Sequence, residues 1–287
     1  MLVANNGVCF GIDAMFRVPN LGLCSVAANI DRNNNEVKVV DLVAAGRNPE
    51  KYFLKILKDY RPDLIGFSSM LFQFAGTYNF IKLAKSFNKN IVTVLGGYAA
   101  TVDGYTIAQN DKENLIDYIV KGEGELAFDE LVKSLQNGKD FSKVNGLIYK
   151  QDGTIIRNPQ NCLANLDDLK LPDRGARLIK KGFYILNQEA DAVETSRGCV
   201  YECNFCSINH MYGKSYRKYK FERVLADIRD AAGRGAKSIF FVDDNITLDG
   251  KRFKSLCETI KSEKLNHINY LLQASVKGIK DTKGLPE

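Results

Sequence analysis

From residue 37 onward the chain alternates short apolar runs with amphipathic stretches. Residues 37–42 (Val-Lys-Val-Val-Asp-Leu) are largely β-branched and apolar, which predicts a strand. Residues 49–60 then follow a helical period, with proline in the first turn, where its missing N–H costs nothing. The same reasoning predicts strands at 64–68, 91–95 and 117–120, and helices over about 78–87 and 125–135. In the last of these, Leu126, Phe128, Leu131, Val132 and Leu135 fall broadly on one face. An earlier strand near residues 1–10 and a helix near 21–31 complete the series. Strands separated by helices at this spacing predict an open, mostly parallel sheet covered on both faces.

Two alternating runs flank Asp152-Gly153 within residues 146–157, a strong hairpin signal, and an extended connector follows at 166–173. The alternation then resumes, with strands at 191–196, 238–243 and 268–273 and amphipathic helices at 221–233 and 251–264. The reading is therefore α/β throughout, in three parts: a doubly wound domain over 1–140, a hairpin and linker over 141–190, and the start of a parallel (β/α) barrel over 191–287.

Composition narrows the class only modestly. With 287 residues, 45% of them hydrophobic, two packed cores are affordable. No run of eighteen apolar residues appears, so no membrane span is expected, and no export signal is visible at the amino terminus. Seven cysteines, three clustered and four scattered (Cys9, Cys24, Cys162 and Cys257), do not form a secreted disulfide pattern, and a reducing cytoplasm is expected. The formal charge of +6 is mild for this length. Lys214, Arg217, Lys218, Lys220 and Arg223 make the densest basic stretch, which a solvated, partly helical surface explains more cheaply than nucleic-acid binding.

The chemistry is concentrated in Cys199-Val-Tyr-Glu-Cys203-Asn-Phe-Cys206. Three thiolates on one loop can wrap a corner of a 4Fe–4S cube and leave its fourth iron open to a reacting ligand. A Cys3His zinc site with His210 is the alternative, although zinc ligand pairs usually come from two separated knuckles rather than one twelve-residue loop. The C-x3-C-x2-C spacing, with aromatic Phe205 before the last cysteine, resembles the radical SAM superfamily. That resemblance implies a 4Fe–4S cluster on Cys199, Cys203 and Cys206, with Phe205 beside it, and S-adenosylmethionine chelated to the open iron. Asp243, Asp244 and Asn245 end the second strand of the barrel segment and match the turn that meets S-adenosylmethionine in this subgroup. The same three residues can equally be read as a capped helix start.

In the first domain, the loops beyond the strands hold Ser68-Ser69-Met70, Gly96-Gly97-Tyr98 and Gly122-Glu123-Gly124-Glu125. Ligands of open parallel sheets bind at that edge, where glycines admit a flat ligand and hydroxyls meet polar groups. Each loop also has a bland reading, as a strand-to-helix turn or a helix cap. Taken in order with Asn20-Leu-Gly-Leu23, Val39-Val-Asp-Leu42 and Pro62-Asp-Leu-Ile-Gly-Phe-Ser68, they resemble the cobalamin-binding domains that precede radical SAM domains. This implies that Ser68, Ser69, Gly96, Gly97 and Glu123 surround the tail or lower face of a corrinoid. The chain departs from cobalamin proteins that ligate cobalt through histidine: it lacks an Asp-x-His-x-x-Gly segment, and Ala99 stands where a histidine often follows the double glycine.

Together these resemblances imply a cobalamin-dependent radical SAM enzyme. It would cleave S-adenosylmethionine reductively to a 5′-deoxyadenosyl radical, with methyl transfer to an unactivated carbon as the favoured outcome. Ring closure, a catalytically incomplete corrinoid and cluster module, and a zinc-binding scaffold are the rivals. A small-molecule substrate and an electron donor such as a flavodoxin or ferredoxin are the implied partners. A radical SAM core needs about six strand–helix units and residues 192–287 supply about three, so the chain is expected to be the amino-terminal part of a longer enzyme.

Overall fold

The computed structural model describes residues 1–4, 15–138, 140–160 and 163–282. The cysteines at 9 and 162 lie outside them. The chain divides into two compact units. The first is built mainly of Gly22–Asn165 and Pro172–Lys180 with the amino-terminal strand, and the second mainly of Lys181–Glu287 with Leu166–Leu171.

The first unit contains β1 (Leu2–Ala4) and, beyond the short strand β2 (Phe16–Arg17) that belongs to the second unit, α1 (Leu21–Asn29), β3 (Val39–Asp41), α2 (Pro49–Tyr60), β4 (Leu64–Ser68), α3 (Phe74–Phe87), β5 (Val92–Gly96), α4 (Gly97–Asn110), β6 (Tyr118–Val120), α5 (Gly124–Gln136), β7 (Leu147–Gln151) and β8 (Thr154–Arg157). Its sheet runs β3-β1-β4-β5-β6-β7-β8. The first five strands are parallel, and β7 and β8 are antiparallel additions. Counting the parallel strands along the chain gives the order 2-1-3-4-5, a doubly wound sheet whose topological switch falls between β1 and β4. The predicted hairpin forms, and it continues the sheet beside β6. Val120 pairs with Leu147 there, and Leu147 and Ile148 are fully buried.

Apolar side chains fill both faces. On one, Phe53 and Leu57 of α2, Ile81 of α3 and Ala99, Ala100 and Ala108 of α4 cover Ile65, Phe67 and Leu95. On the other, Cys24 and Ala27 of α1 and Ala127, Phe128 and Leu131 of α5 cover Leu2, Val39 and Val94. The helix α4 was not predicted. It covers the sheet with small residues, and Gly104 is in place because a Cβ there would lie 3.1 Å from Ile119 and 3.3 Å from Ile148.

The second unit contains β2, β9 (Tyr184–Ile185), β10 (Gln188–Val193), β11 (Ser196–Arg197), α6 (Ile208–Tyr212), β12 (Arg217–Lys218), α7 (Phe221–Gly233), β13 (Ser238–Phe241), α8 (Gly250–Ser262), β14 (Asn269–Leu271) and α9 (Val276–Asp281). Its main sheet runs β14-β13-β10-β9-β2, with β10, β13 and β14 parallel, as three successive strand–helix repeats require. The predicted single strand over 191–196 is in fact two pieces. The strand β10 ends at Val193, and Ser196-Arg197 leave it to pair antiparallel with Arg217-Lys218.

Candidate functional site

The cysteine loop is tied at its base by the β11–β12 ladder, so residues 198–216 leave and return through one short two-stranded stem. Gly198 opens the loop with φ +86°, and a Cβ there would collide with the Ser215 carbonyl oxygen on the returning strand. Cys199 lies just inside the stem and is 8% exposed, whereas Cys203 and Cys206 are exposed and joined by a turn in which Cys206 N–H donates to Cys203 O (2.9 Å). Burial pushes the Cys199 thiol above its ordinary range, and the neighbouring Asp244, Cys206 and Cys203 push the same way. All five described cysteines are free thiols. Phe205 stands 87% exposed, and His210 is also exposed. Among the described residues no three His, Cys, Asp or Glu side chains are gathered closely enough to hold a metal ion.

The turn after β13 is arranged differently from the simple expectation that its side chains face a cofactor. Asp243 is fully buried. Its carboxylate accepts from Thr195 N–H (3.0 Å), Thr195 Oγ (2.6 Å) and Ser196 Oγ (2.5 Å). Asn245 is 5% exposed, and its Oδ1 accepts from Thr247 Oγ1 (2.9 Å) and Ser275 N–H (3.1 Å). Only Asp244 is half-buried, with one oxygen accepting from Gly198 N–H (2.8 Å). Burial raises the carboxyl pKa of both aspartates, and the hydrogen bonds they accept oppose it. Around them, Glu194 pairs with Arg197 at 2.9 Å and accepts from Tyr219 Oη (3.0 Å), and Arg252 donates to the carbonyls of Thr195 (3.3 Å) and Tyr219 (2.5 Å).

The basic stretch beside this loop is spent on local partners. Lys214 pairs with Glu202, Lys218 with Asp249 and Lys220 with Asp167, while the Arg223 guanidinium lies 3.9 Å from the centre of the Tyr219 ring.

In the first unit, the loops beyond β4, β5 and β6 are stitched to one another. Ser69 N–H donates to Gly96 O (3.2 Å), and Ala99 N–H donates to Ser69 O (2.9 Å). Thr101, 5% exposed and not foreseen, donates through Oγ1 to Gly97 O and accepts from Gly122 N–H, both at 2.9 Å. The Ser69 hydroxyl is buried, donating to Met70 O (2.9 Å) and accepting from Thr77 Oγ1 (3.1 Å), so it holds the loop rather than facing outward. Glu123 is likewise engaged, accepting from Ala164 N–H at 2.7 Å. Gly96 is open: an added Cβ would find only Phe67 O, at 3.9 Å. Gly97, at φ +82°, would place a Cβ 2.8 Å from Ser68 Oγ and 3.0 Å from Ser69 N. Met70, Leu71 and Phe72 form an exposed apolar lip after β4, with Phe72 74% exposed.

The fold and these loops define a class: a doubly wound ligand-binding sheet, and a run of parallel strands bearing a three-thiol loop at a carboxyl end. Comparison with known proteins sharpens it. The B12 binding domain family matches residues 7–132. An uncharacterized methyltransferase of Pyrococcus horikoshii is 34% identical over 256 residues, covering 86% of this chain and 53% of the relative. The hopanoid C-3 methylase of Methylococcus capsulatus is 29% identical over 257 residues, covering 89% of the chain and 48% of that enzyme. Among solved structures, the radical S-adenosylmethionine methyltransferase TsrM of Kitasatospora setae superposes with a TM-score of 0.71 at 19% identity, covering 94% of this chain and 53% of TsrM. The chain is thus similar to radical SAM proteins that carry a cobalamin-binding domain. It spans about half the length of the curated relatives it matches. Among the described residues no helix is long and apolar enough to cross a membrane.

Proposed function

We propose that the chain supplies the corrinoid-binding and cluster-binding parts of a cobalamin-dependent radical SAM methyltransferase. The observation that carries this reading is the three-cysteine loop, rooted by a two-stranded stem at the carboxyl end of β10 and hydrogen-bonded to the turn that leaves β13. When bound, a 4Fe–4S cluster with one open iron would supply the electron that splits S-adenosylmethionine into methionine and a 5′-deoxyadenosyl radical, and a corrinoid would supply a methyl carrier.

The chain's own residues do the holding. The donor set suits the cluster, because three free thiols in one exposed loop are the thiolate ligands it takes, and Cys203 and Cys206 can swing toward Cys199 without breaking a core. Phe205, exposed beside Cys206, would contact the bound cluster. Asp244, with one oxygen spent on Gly198, keeps its second for the ammonium group of S-adenosylmethionine, and the backbone of the 243–245 turn lines the same face. In the first unit, the open face at Gly96 admits a flat macrocycle, and Gly97, Ser68 and the stitched loops form a rigid rim. The exposed lip at 70–72 offers apolar contact, while Ser69 and Glu123 act by fixing their loops. Corrinoid binding is thus assigned to the first unit and the cluster to the second, with reduction by a flavodoxin or ferredoxin in a reducing cytoplasm and a small molecule as substrate.

Anaerobic reconstitution tests this reading. The chain should take up about four irons and four sulfides. Replacing Cys199, Cys203 and Cys206 with Ala should abolish that uptake, whereas Cys24→Ala and Cys257→Ala should not. Stoichiometric zinc without iron would refute the cluster. Similarity to the anaerobic magnesium-protoporphyrin IX monomethyl ester cyclase of Synechocystis, 29% over 182 residues, favours ring closure as the second reading. Label from the S-methyl group of S-adenosylmethionine appears in product only under the first.

A further inference from the structure

The Asp243-Asp244-Asn245 turn uses its side chains on protein rather than on open space, and it does so in three directions. Asp243, completely buried, takes three hydrogen bonds from Thr195 and Ser196, the residues that follow the end of β10. Asp244 takes the Gly198 N–H, one residue before the first cysteine. Asn245 takes the Ser275 N–H, just beyond the end of β14. The parallel ladders β10–β13 and β13–β14 stop at Phe241 and Phe240, and beyond them main-chain contact between the exits is sparse, with Val242 N–H donating to Val193 O (3.0 Å) and Ile246 N–H to Gln273 O (3.1 Å), so side chains share in fixing where the exits go.

We propose that this turn is a clasp. Asp243 and Asp244 are positioning residues that set where the cysteine loop leaves the sheet, and Asn245 holds the neighbouring exit in step. The role of the clasp in cluster assembly rests on the cluster reading given above; the clasp itself does not. Physically, the need is plain. The stem of the loop is only two residue pairs long, and a two-stranded ribbon of that size does not hold itself in water. Charge-assisted hydrogen bonds to a buried carboxylate are stronger than neutral ones and supply the missing constraint. They also explain why Asp243 is buried despite the cost of desolvating it, since three donors meet it there.

A clasp and a direct ligand of the S-adenosylmethionine ammonium group respond differently to the same change. Asp244→Asn keeps a carbonyl oxygen to accept from Gly198 N–H but removes the charge, and Asp244→Ala removes both. The clasp predicts that hydrogen exchange of peptides spanning 195–198, measured on the metal-free chain by mass spectrometry, rises at least about tenfold in Asp244→Ala and Asp243→Ala. It predicts near wild-type exchange in Asp244→Asn, with first-unit peptides unchanged in all three. After anaerobic reconstitution with iron and sulfide, Asp244→Ala should load less cluster and give a broadened EPR signal in the reduced state before S-adenosylmethionine is added, and Asp244→Asn should restore both.

The proposal is overturned if exchange at 195–198 is unchanged in Asp244→Ala, or if Asp244→Asn and Asp244→Ala fail alike and only in the spectral response to added S-adenosylmethionine. Should Asp243→Ala not fold, Ser196→Ala removes one donor from the other side of the same contact and should loosen the same peptides. If the wild-type chain takes up no iron, the cluster reading fails, and the exchange measurement still decides the clasp.

Discussion

At the scale of single residues, the cysteine spacing stands out most in the sequence, because three thiols in eight positions form a local pattern whatever they bind. The roles of Asp243 and Asn245 were not legible. A carboxylate at the end of a parallel strand reads the same whether it faces a ligand or turns inward to two hydroxyls forty-seven and forty-eight positions away. Thr101, Thr195 and Ser196 were invisible for the same reason, since a hydroxyl advertises nothing until its partner is known. Gly198 is where one atom decides most. Its φ of +86° disfavours any side chain, and a Cβ would also strike the backbone of Ser215. Gly198→Ala should therefore cost at least about 1–3 kcal/mol locally and splay the stem of the loop. Gly153→Asn is the control: at φ +78° it has open space around it, and asparagine tolerates that conformation. Melting and iron uptake should fall for Gly198→Ala and stay near wild type for Gly153→Asn.

At the scale of elements, periodicity worked where a segment carries large apolar residues on one face. The helices α2 and α7, and the strand β4, match their predicted bounds for that reason. It failed for α4, whose buried positions include Ala99, Ala100, Gly104 and Ala108 and whose backbone departs from helical angles at Asp103. Small residues there serve close approach to β6 and β7 and leave no hydrophobic stripe to read. Helix starts fared unevenly: α2, with Pro49 in its first turn, begins where predicted, whereas α3 begins at Phe74, four residues before the predicted start. Asp249 caps α8 by accepting from Arg252 N–H (3.0 Å), and Lys218 of the stem meets the same carboxylate at 3.1 Å. Asp249→Ala should cost about 1 kcal/mol at neutral pH. The Arg252 N–H first, and Lys218 with it, hold this carboxyl below the ordinary carboxylate range. A lowered folded-state pKa means that the stabilisation is complete above the unfolded value of about 4 and is lost as pH falls through the folded one. The gap in Tm between wild type and Asp249→Ala should thus persist from neutral pH to about 5 and close below about 4. A gap that widened in acid would contradict the assignment.

At the scale of the whole molecule, two alternating β/α segments were legible because each repeats its own pattern. What sequence could not convey was which strands finish a sheet. The hairpin over β7 and β8 was evident from its Asp152-Gly153 turn, but a hairpin pattern does not say what it pairs with. In the structure it closes the edge of β6, so that Ile119 faces Ile148 across the ladder and Lys121 N–H donates to Gly146 O (3.1 Å). Beyond it, Leu178 N–H donates to Val39 O (2.9 Å), and Arg177 Nε donates to the buried Cys24 Sγ (3.1 Å), so residues 172–180 fasten onto the opposite edge of the same sheet. This sets a test of where the corrinoid-binding unit ends. A fragment of residues 1–140 would lose Leu147 and Ile148, each fully buried and each worth about 1.5–3 kcal/mol, and would bare the ladder of β6. A fragment of 1–180 keeps both edges. The longer piece should unfold cooperatively and retain a corrinoid on gel filtration, whereas the shorter should aggregate or melt without a sharp transition. Equal stability of the two fragments would show that the hairpin and the 172–180 segment are appendages rather than part of the fold.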